Sequence, residues 1–221
     1  MKIKILVVAA AALITTSAIA QKMTYDAGKT TFGIRAGVNF QNINGENANG
    51  DKYNNKVTTG FNAGVNAEIP LGTGYYLQPG VLFSTKGAKW NPSNDKYKLS
   101  YVEIPVNFLY KPILGAGRML LGFGPYVGIG VGGSVKSPQG VEKDVSFTNT
   151  VKSSDPMNKV YFKNPDAGAN LLVGYELASN FSVQLNAQLG LANIYPQYEG
   201  VSNNKTKMKN TGFGVSAGYR F

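Results

Sequence analysis

The chain has 221 residues and a formal net charge of +10, with no cysteine and no histidine. Those absences exclude a disulfide framework, thiolate or imidazole metal sites, and serine–histidine or cysteine–histidine nucleophiles. Twenty-seven glycines and thirteen tyrosines beside 15% charged residues are unusual for a soluble domain and fit one tightly packed all-β domain.

The first segment carries Lys2 and Lys4, an apolar run over 5–14, and the small-residue site Ala18, Ile19, Ala20. This reads as a secretory signal peptide over 1–20, with the mature chain, 21–221, starting at Gln21. The run is too short to cross a bilayer as a helix, and no later segment approaches the roughly 20 apolar residues such a helix needs. Period-2 alternation then predicts strands at 30–40, 58–70, 74–86, 97–110, 118–133, 164–177, 181–192 and 208–221. Each is near or above the roughly 9 to 11 residues of a tilted membrane strand.

In the first strand Phe32, Ile34, Ala36, Val38 and Phe40 share one face, and Gly33, Arg35, Gly37 and Asn39 the other. The second repeats the pattern, with Phe61, Val65 and Ile69 against Gly60, Asn62, Gly64, Asn66 and Glu68; the seventh sets Phe181, Val183, Leu185 and Leu189 against Ser182, Gln184, Asn186 and Gln188. Large apolar residues on one face and glycine or polar groups on the other predict a barrel with lipid outside and a crowded polar lumen. The connections alternate: long at 41–57, 87–96, 134–163 and 193–207, short at 71–73, 111–117 and 178–180. Short periplasmic turns and long external loops are the outer-membrane pattern. The expectation is an eight-stranded, antiparallel, up-and-down transmembrane β-barrel with both termini periplasmic.

Inward-facing charges are Arg35, Lys86 and Arg220 against Glu68, Glu103, Asp166 and Glu176. Mixed signs in a narrow lumen predict a salt-bridge plug, with Glu103 held by a basic partner; the alternative is a path for ions or a small solute. Glu103 with Asp166 has the chemistry for acid–base work, but nothing in the spacing argues for it, and no enzyme, metal or cofactor is expected. Pro79, Pro105 and Pro125 fall at similar heights on adjacent strands, each lacking an N–H, which predicts a ladder defect or bulge there. Interfacial aromatics are expected at Tyr75, Tyr110, Tyr175, Phe181 and Phe221 on the periplasmic side and at Trp90, Tyr97, Tyr161 and Tyr195 outside. The loop 42–55 lacks the acidic spacing of a calcium loop. Lysines at 52, 56, 89, 96, 136, 143, 152, 159, 205, 207 and 209 make the outer surface basic, suited to outer-membrane lipid and the phosphates of lipopolysaccharide. No nucleic-acid motif accompanies them, so nucleic acid is not an expected partner.

Tyr101, Val102, Glu103, Ile104, Pro105 and Val106, with Leu77, Gln78, Pro79, Gly80 on one neighbour and Gly124, Pro125, Tyr126 on the other, resemble the PorT-like outer-membrane β-barrel family of Bacteroidetes over 21–221. The last strand, with Tyr219 and the terminal Phe221, resembles the signal that the barrel assembly machinery reads during insertion. The family resemblance implies a cell outer-membrane barrel and little about activity, since a few members assist protein secretion. The expected role is structural or interactive, through loops that meet an envelope or host protein. The alternatives are a narrow pore and a secretion accessory.

Overall fold

The computed structural model describes residues 28–201 and 205–221. The expected signal peptide and Gln21 lie outside the described residues. The wall is made of β1 (Thr31–Glu46), β2 (Thr58–Gly72), β3 (Tyr75–Lys89), β4 (Lys96–Tyr110), β5 (Gly117–Lys136), β6 (Asp166–Glu176), β7 (Phe181–Gly190) and β8 (Lys207–Arg220). Each pairs antiparallel with the next, and β1 closes on β8 from Gly33↔Arg220 to Glu46↔Lys207, giving a closed eight-stranded barrel.

Alternation decides which way each residue points. Phe32, Val65, Phe123, Leu171, Leu185 and Phe213 are 56–64% exposed on the outer wall, while Asn39, Glu68, Gln78, Glu103, Asn107 and Ser216 on the other face are below 10%. Such an exterior fits hydrocarbon and would be untenable in water. Glycine makes the lumen possible at particular places. A Cβ on Gly124 would run into the Val106 carbonyl, whereas one on Gly128 would just touch Tyr101, Glu103 and Asp166 at 3.4–3.7 Å.

The prolines interrupt three ladders without a bulge. Pairing of β2 with β3 skips Ala67 opposite Pro79 and Glu68 opposite Gln78; β3 with β4 skips Gly80 opposite Pro105; β4 with β5 skips Val106 opposite Pro125. Register is the same on both sides of each gap, because proline deletes a donor but inserts no residue. The register shifts fall elsewhere, at Pro70/Gly72 and Ser100/Tyr101.

At the external end β1, β3, β4, β5 and β8 run past the expected limits while β6 and β7 stop short of them, and an extra strand at Glu142–Phe147 pairs with β5 and, in parallel, with Val160–Phe162. Thr150–Val151 pairs in parallel with Gln197–Tyr198. These pieces enclose a hydrophobic core of Ile43, Ala88, Leu99, Tyr101, Val135, Val145, Phe162 and Ile194, with Trp90, Tyr97 and Phe147 packed against it. Trp90 and Tyr97 therefore do not form the outer lipid girdle expected of them: Tyr97 lies on the inward register with Leu99 and Tyr101, so it faces the cap. The periplasmic aromatics do cluster on the wall, with Tyr75 against Tyr110 at 4.8 Å, Phe181 against Tyr219 at 4.8 Å and Tyr219 against Phe221 at 5.2 Å.

Candidate functional site

Among the described residues the lumen charges gather into two clusters. In the upper one, Lys86 on β3 lies 2.7 Å from Glu103 of β4 and 3.0 Å from Asp166 of β6, with the lysine and aspartate side chains fully buried. The ammonium also stands over the ring of Tyr126 at 4.3 Å and that of Tyr101 at 5.4 Å. Each acid also accepts from an amide: Gln188 Nε2 donates to Glu103 at 2.9 Å, and Asn210 Nδ2 donates to Asp166 at 3.0 Å. Residues from β3, β4, β5, β6, β7 and β8 thus meet at one level across the lumen. Buried charges persist when paired and hydrogen-bonded in this way.

The lower cluster closes the periplasmic half. Glu68 of β2 is held by Lys111 and Arg220, each at 2.8 Å, and by Gln78 Nε2 at 3.2 Å. Glu176 of β6 accepts from Lys111 at 2.8 Å and lies 3.9 Å from Arg220, whose guanidinium also donates to Asn66 at 2.7 Å. Sequence reasoning placed Lys111 in a turn and missed it; its side chain folds back into the lumen and is 2% exposed. Its position directly after the inward series Glu103, Asn107, Leu109 was the available signal, since that parity continues to 111.

Arg35 lies between the two clusters and closes an ion pair with neither. It borders a small cavity of about 30 Å³ whose lining includes Asn39, Asn62, Glu103, Asn107 and Asn170. The acceptor oxygens of Asn39, Asn107 and Asn170 and the Arg35 Nε have no protein partner there. That volume is the room of about one or two waters, and such groups are what a buried water satisfies. Taking Arg35 with Lys86, Lys111 and Arg220 against Glu68, Glu103, Asp166 and Glu176, the described lumen side chains are balanced in charge. Below the lower cluster the barrel opens into a periplasmic vestibule of about 570 Å³, bordered by Lys29, Tyr76, Arg118 and Phe221. Glu103 and Asp166, the one carboxylate pair with the makings of an acid–base couple, are both held by Lys86.

A closed barrel with an apolar exterior, balanced ion clusters inside and short turns at one end defines an integral outer-membrane β-barrel. The chain belongs to the family described as outer membrane protein beta-barrel domain, whose sequence model matches residues 19–195. Among solved structures it is similar to Neisserial surface protein A, with 13% identity, 88% of this chain and 100% of that one covered and a TM-score of 0.48. It is similar as well to the attachment invasion locus protein Ail of Yersinia pestis, in complex with sucrose octasulfate, at 13% identity, 88% and 100% coverage and a TM-score of 0.42. OprG of Pseudomonas aeruginosa matches at 15% identity, 89% and 97% coverage and a TM-score of 0.43. No curated protein matches the chain.

Proposed function

We propose that this is a non-conducting, non-enzymatic envelope barrel whose role is structural or interactive and is carried by its external cap. The observation behind this reading is the cap's own hydrophobic core, in which Ile43, Leu99, Tyr101 and Ile194 are completely buried. Loops that only join strands need no core; a surface held by one keeps a constant shape, which lowers the ordering cost of binding a partner. The same core seals the lumen from outside, and the two ion clusters block it below. A pore would need continuous hydrated space, and the cavity beside Glu103 holds only about 30 Å³.

The PorT-like resemblance and the signal peptide at 1–20 support an exported surface protein, and the partner class that fits is an envelope or host protein. A secretion accessory is the variant of this reading in which the partner is a larger envelope complex, detectable by co-purification. The test is single-channel recording of the refolded mature chain in planar bilayers, with insertion verified by protease protection. Inserted, silent protein is expected. Discrete steps that change on Glu103→Gln or Arg220→Gln would overturn the proposal in favour of a narrow pore.

A further inference from the structure

Aromatic side chains from all four external loops form a strip across the mouth of the barrel. Trp90, directly after β3, packs against Tyr53 of the first loop at 4.7 Å. Tyr53 lies within electrostatic reach of Tyr195 in the fourth loop. Tyr198, its ring 5.8 Å from that of Tyr195, reaches Tyr161 of the third loop in the same way. Strands β3 and β7 are four places apart in a ring of eight, so a run of rings from Trp90 to Tyr195 crosses from one side of the mouth to the other, above the membrane interface.

The strip is held in shape by its own backbone and by the core below. Tyr53 N donates to the Gly45 carbonyl at 3.0 Å, Tyr198 pairs with Val151 in the short parallel ladder, and the Tyr161 hydroxyl donates to the Pro156 carbonyl at 2.9 Å. At Val145, Phe162 and Ile194 the core is built of side chains with no polar end, whereas the strip is tyrosine and tryptophan, half-buried or, at Tyr198, exposed. Among the described residues the hydroxyls of Tyr53, Tyr195 and Tyr198 bond to no protein group. A packed ring with a free hydroxyl presents an apolar body and a polar handle together. Burial, and then the Tyr195 phenol, push Tyr53 and Tyr198 above the ordinary tyrosine range, so both stay protonated donors at neutral pH. Charge along the strip cancels, Asp51, Asp155 and Glu199 against Lys52, Lys152 and Lys159, and a surface without net sign selects a neutral ligand. The amides of Asn54, Asn158 and Gln197 are exposed in the same segments.

We infer that the strip Trp90, Tyr53, Tyr195, Tyr198 and Tyr161 binds a short neutral sugar chain carried by a glycosylated protein. One face of a pyranose presents C–H bonds, whose positive hydrogens suit the negative face of an aromatic ring; its hydroxyls suit phenols and amides, which both donate and accept. Ring-to-ring steps of 4.7 and 5.8 Å are close to the advance of one pyranose unit. The strip ends within the mouth, which selects a short chain over a long polymer. This inference rests on the reading of the cap as the interacting part of the protein and narrows its partner to a glycan.

The test applies the refolded mature chain, in a detergent without sugar groups, to a printed array of neutral and sialylated N-linked and O-linked oligosaccharides, with asialofetuin printed intact and enzymatically deglycosylated. Bound oligosaccharides are then titrated against the emission of Trp90, the sole tryptophan. Neutral glycans and intact asialofetuin should bind, and the titration should shift the Trp90 emission. The variant Tyr195→Ala, Tyr198→Ala should bind at least about tenfold more weakly. The variant Tyr53→Phe, Tyr195→Phe, Tyr198→Phe keeps every ring and loses three hydroxyls, for a loss of about fivefold. Lys152→Gln, Lys159→Gln should bind as the parent does. The heat-dependent gel shift verifies the barrel of each variant, and its unliganded Trp90 emission verifies the cap. Absence of any bound neutral glycan, preference for sialylated ones, or full binding by both tyrosine variants would overturn the inference. Equal binding of the deglycosylated protein would also overturn it while leaving the cap as the interacting surface; discrete conductance steps in planar bilayers would instead remove the reading on which it rests.

Discussion

Replacing Lys86 by methionine tests whether the upper ion cluster is a structural plug. The variant keeps an unbranched stem of similar length but leaves Glu103 and Asp166 without the ammonium that lies 2.7 and 3.0 Å from them. Breaking a buried pair by removing one partner typically costs about 3–5 kcal/mol, because the charge left behind is neither solvated nor paired. Here one lysine serves two acids and stands over two rings, so the upper half of that range applies. The compensating variant Lys86→Met, Asp166→Asn removes one charge of each sign, keeps an amide facing Asn210 and leaves Glu103, which accepts from Gln188, to balance Arg35 beside their shared cavity. It should recover to within about 2 kcal/mol of the parent, since the lumen again carries as many cations as acids. Urea unfolding of the barrel refolded in vesicles measures both. Trp90, the sole tryptophan, packs against Tyr53 and Tyr97 in the cap and reports its melting, while the gel shift reports the barrel. A loss below about 1 kcal/mol for Lys86→Met, or a double variant no more stable than the single, would refute the reasoning.

Three further outcomes are expected. Gly128→Ala should stay within about 1 kcal/mol of the parent, because its Cβ has room, whereas Gly124→Ala should lose about 1–3 kcal/mol by driving β4 and β5 apart, as urea titration in vesicles would show. Pro125→Val, on the lipid face, restores a ladder donor toward β4 and should gain about 0.5–1.5 kcal/mol in the same assay; an unchanged or lower stability would mean that the gap is not a missing hydrogen bond. Deleting Phe221 together with Tyr219→Ala should lower the amount of folded barrel in cell outer membranes several-fold while leaving spontaneous refolding into vesicles intact, which separates recognition by the assembly machinery from intrinsic stability.

What was legible in the sequence follows from what alternation encodes. A period of two fixes the face of every residue once a strand is recognised, so Arg35, Glu68, Lys86, Glu103, Asp166, Glu176 and Arg220 could be placed inside without knowing which would meet. Their partners depend on the stagger between strands, which period alone leaves free: Lys86 and Asp166 are 80 positions apart and meet only because β3 and β6 face one another across a closed barrel. Lys111 was lost because proline at 112 and the following Gly115 and Gly117 mark a turn, and a turn residue carries no face.

The cap was lost for a related reason. Ile43 and Ala88 lie beyond the last lipid-facing residues of their strands, where the outward positions turn polar and the alternation inverts, apolar inside and polar outside. Read against a membrane pattern, such a stretch looks like loop; read as a strand leaving the bilayer, it is an ordinary water-exposed sheet burying its inner face. The inversion explains how one barrel holds two kinds of interior. Within the bilayer the outer wall satisfies the hydrocarbon, so the lumen is free to be ionic. Above it the outer wall meets water, and only the inner face can supply the burial that keeps the strands together. A seal at the external end is therefore what the change of solvent along each strand requires.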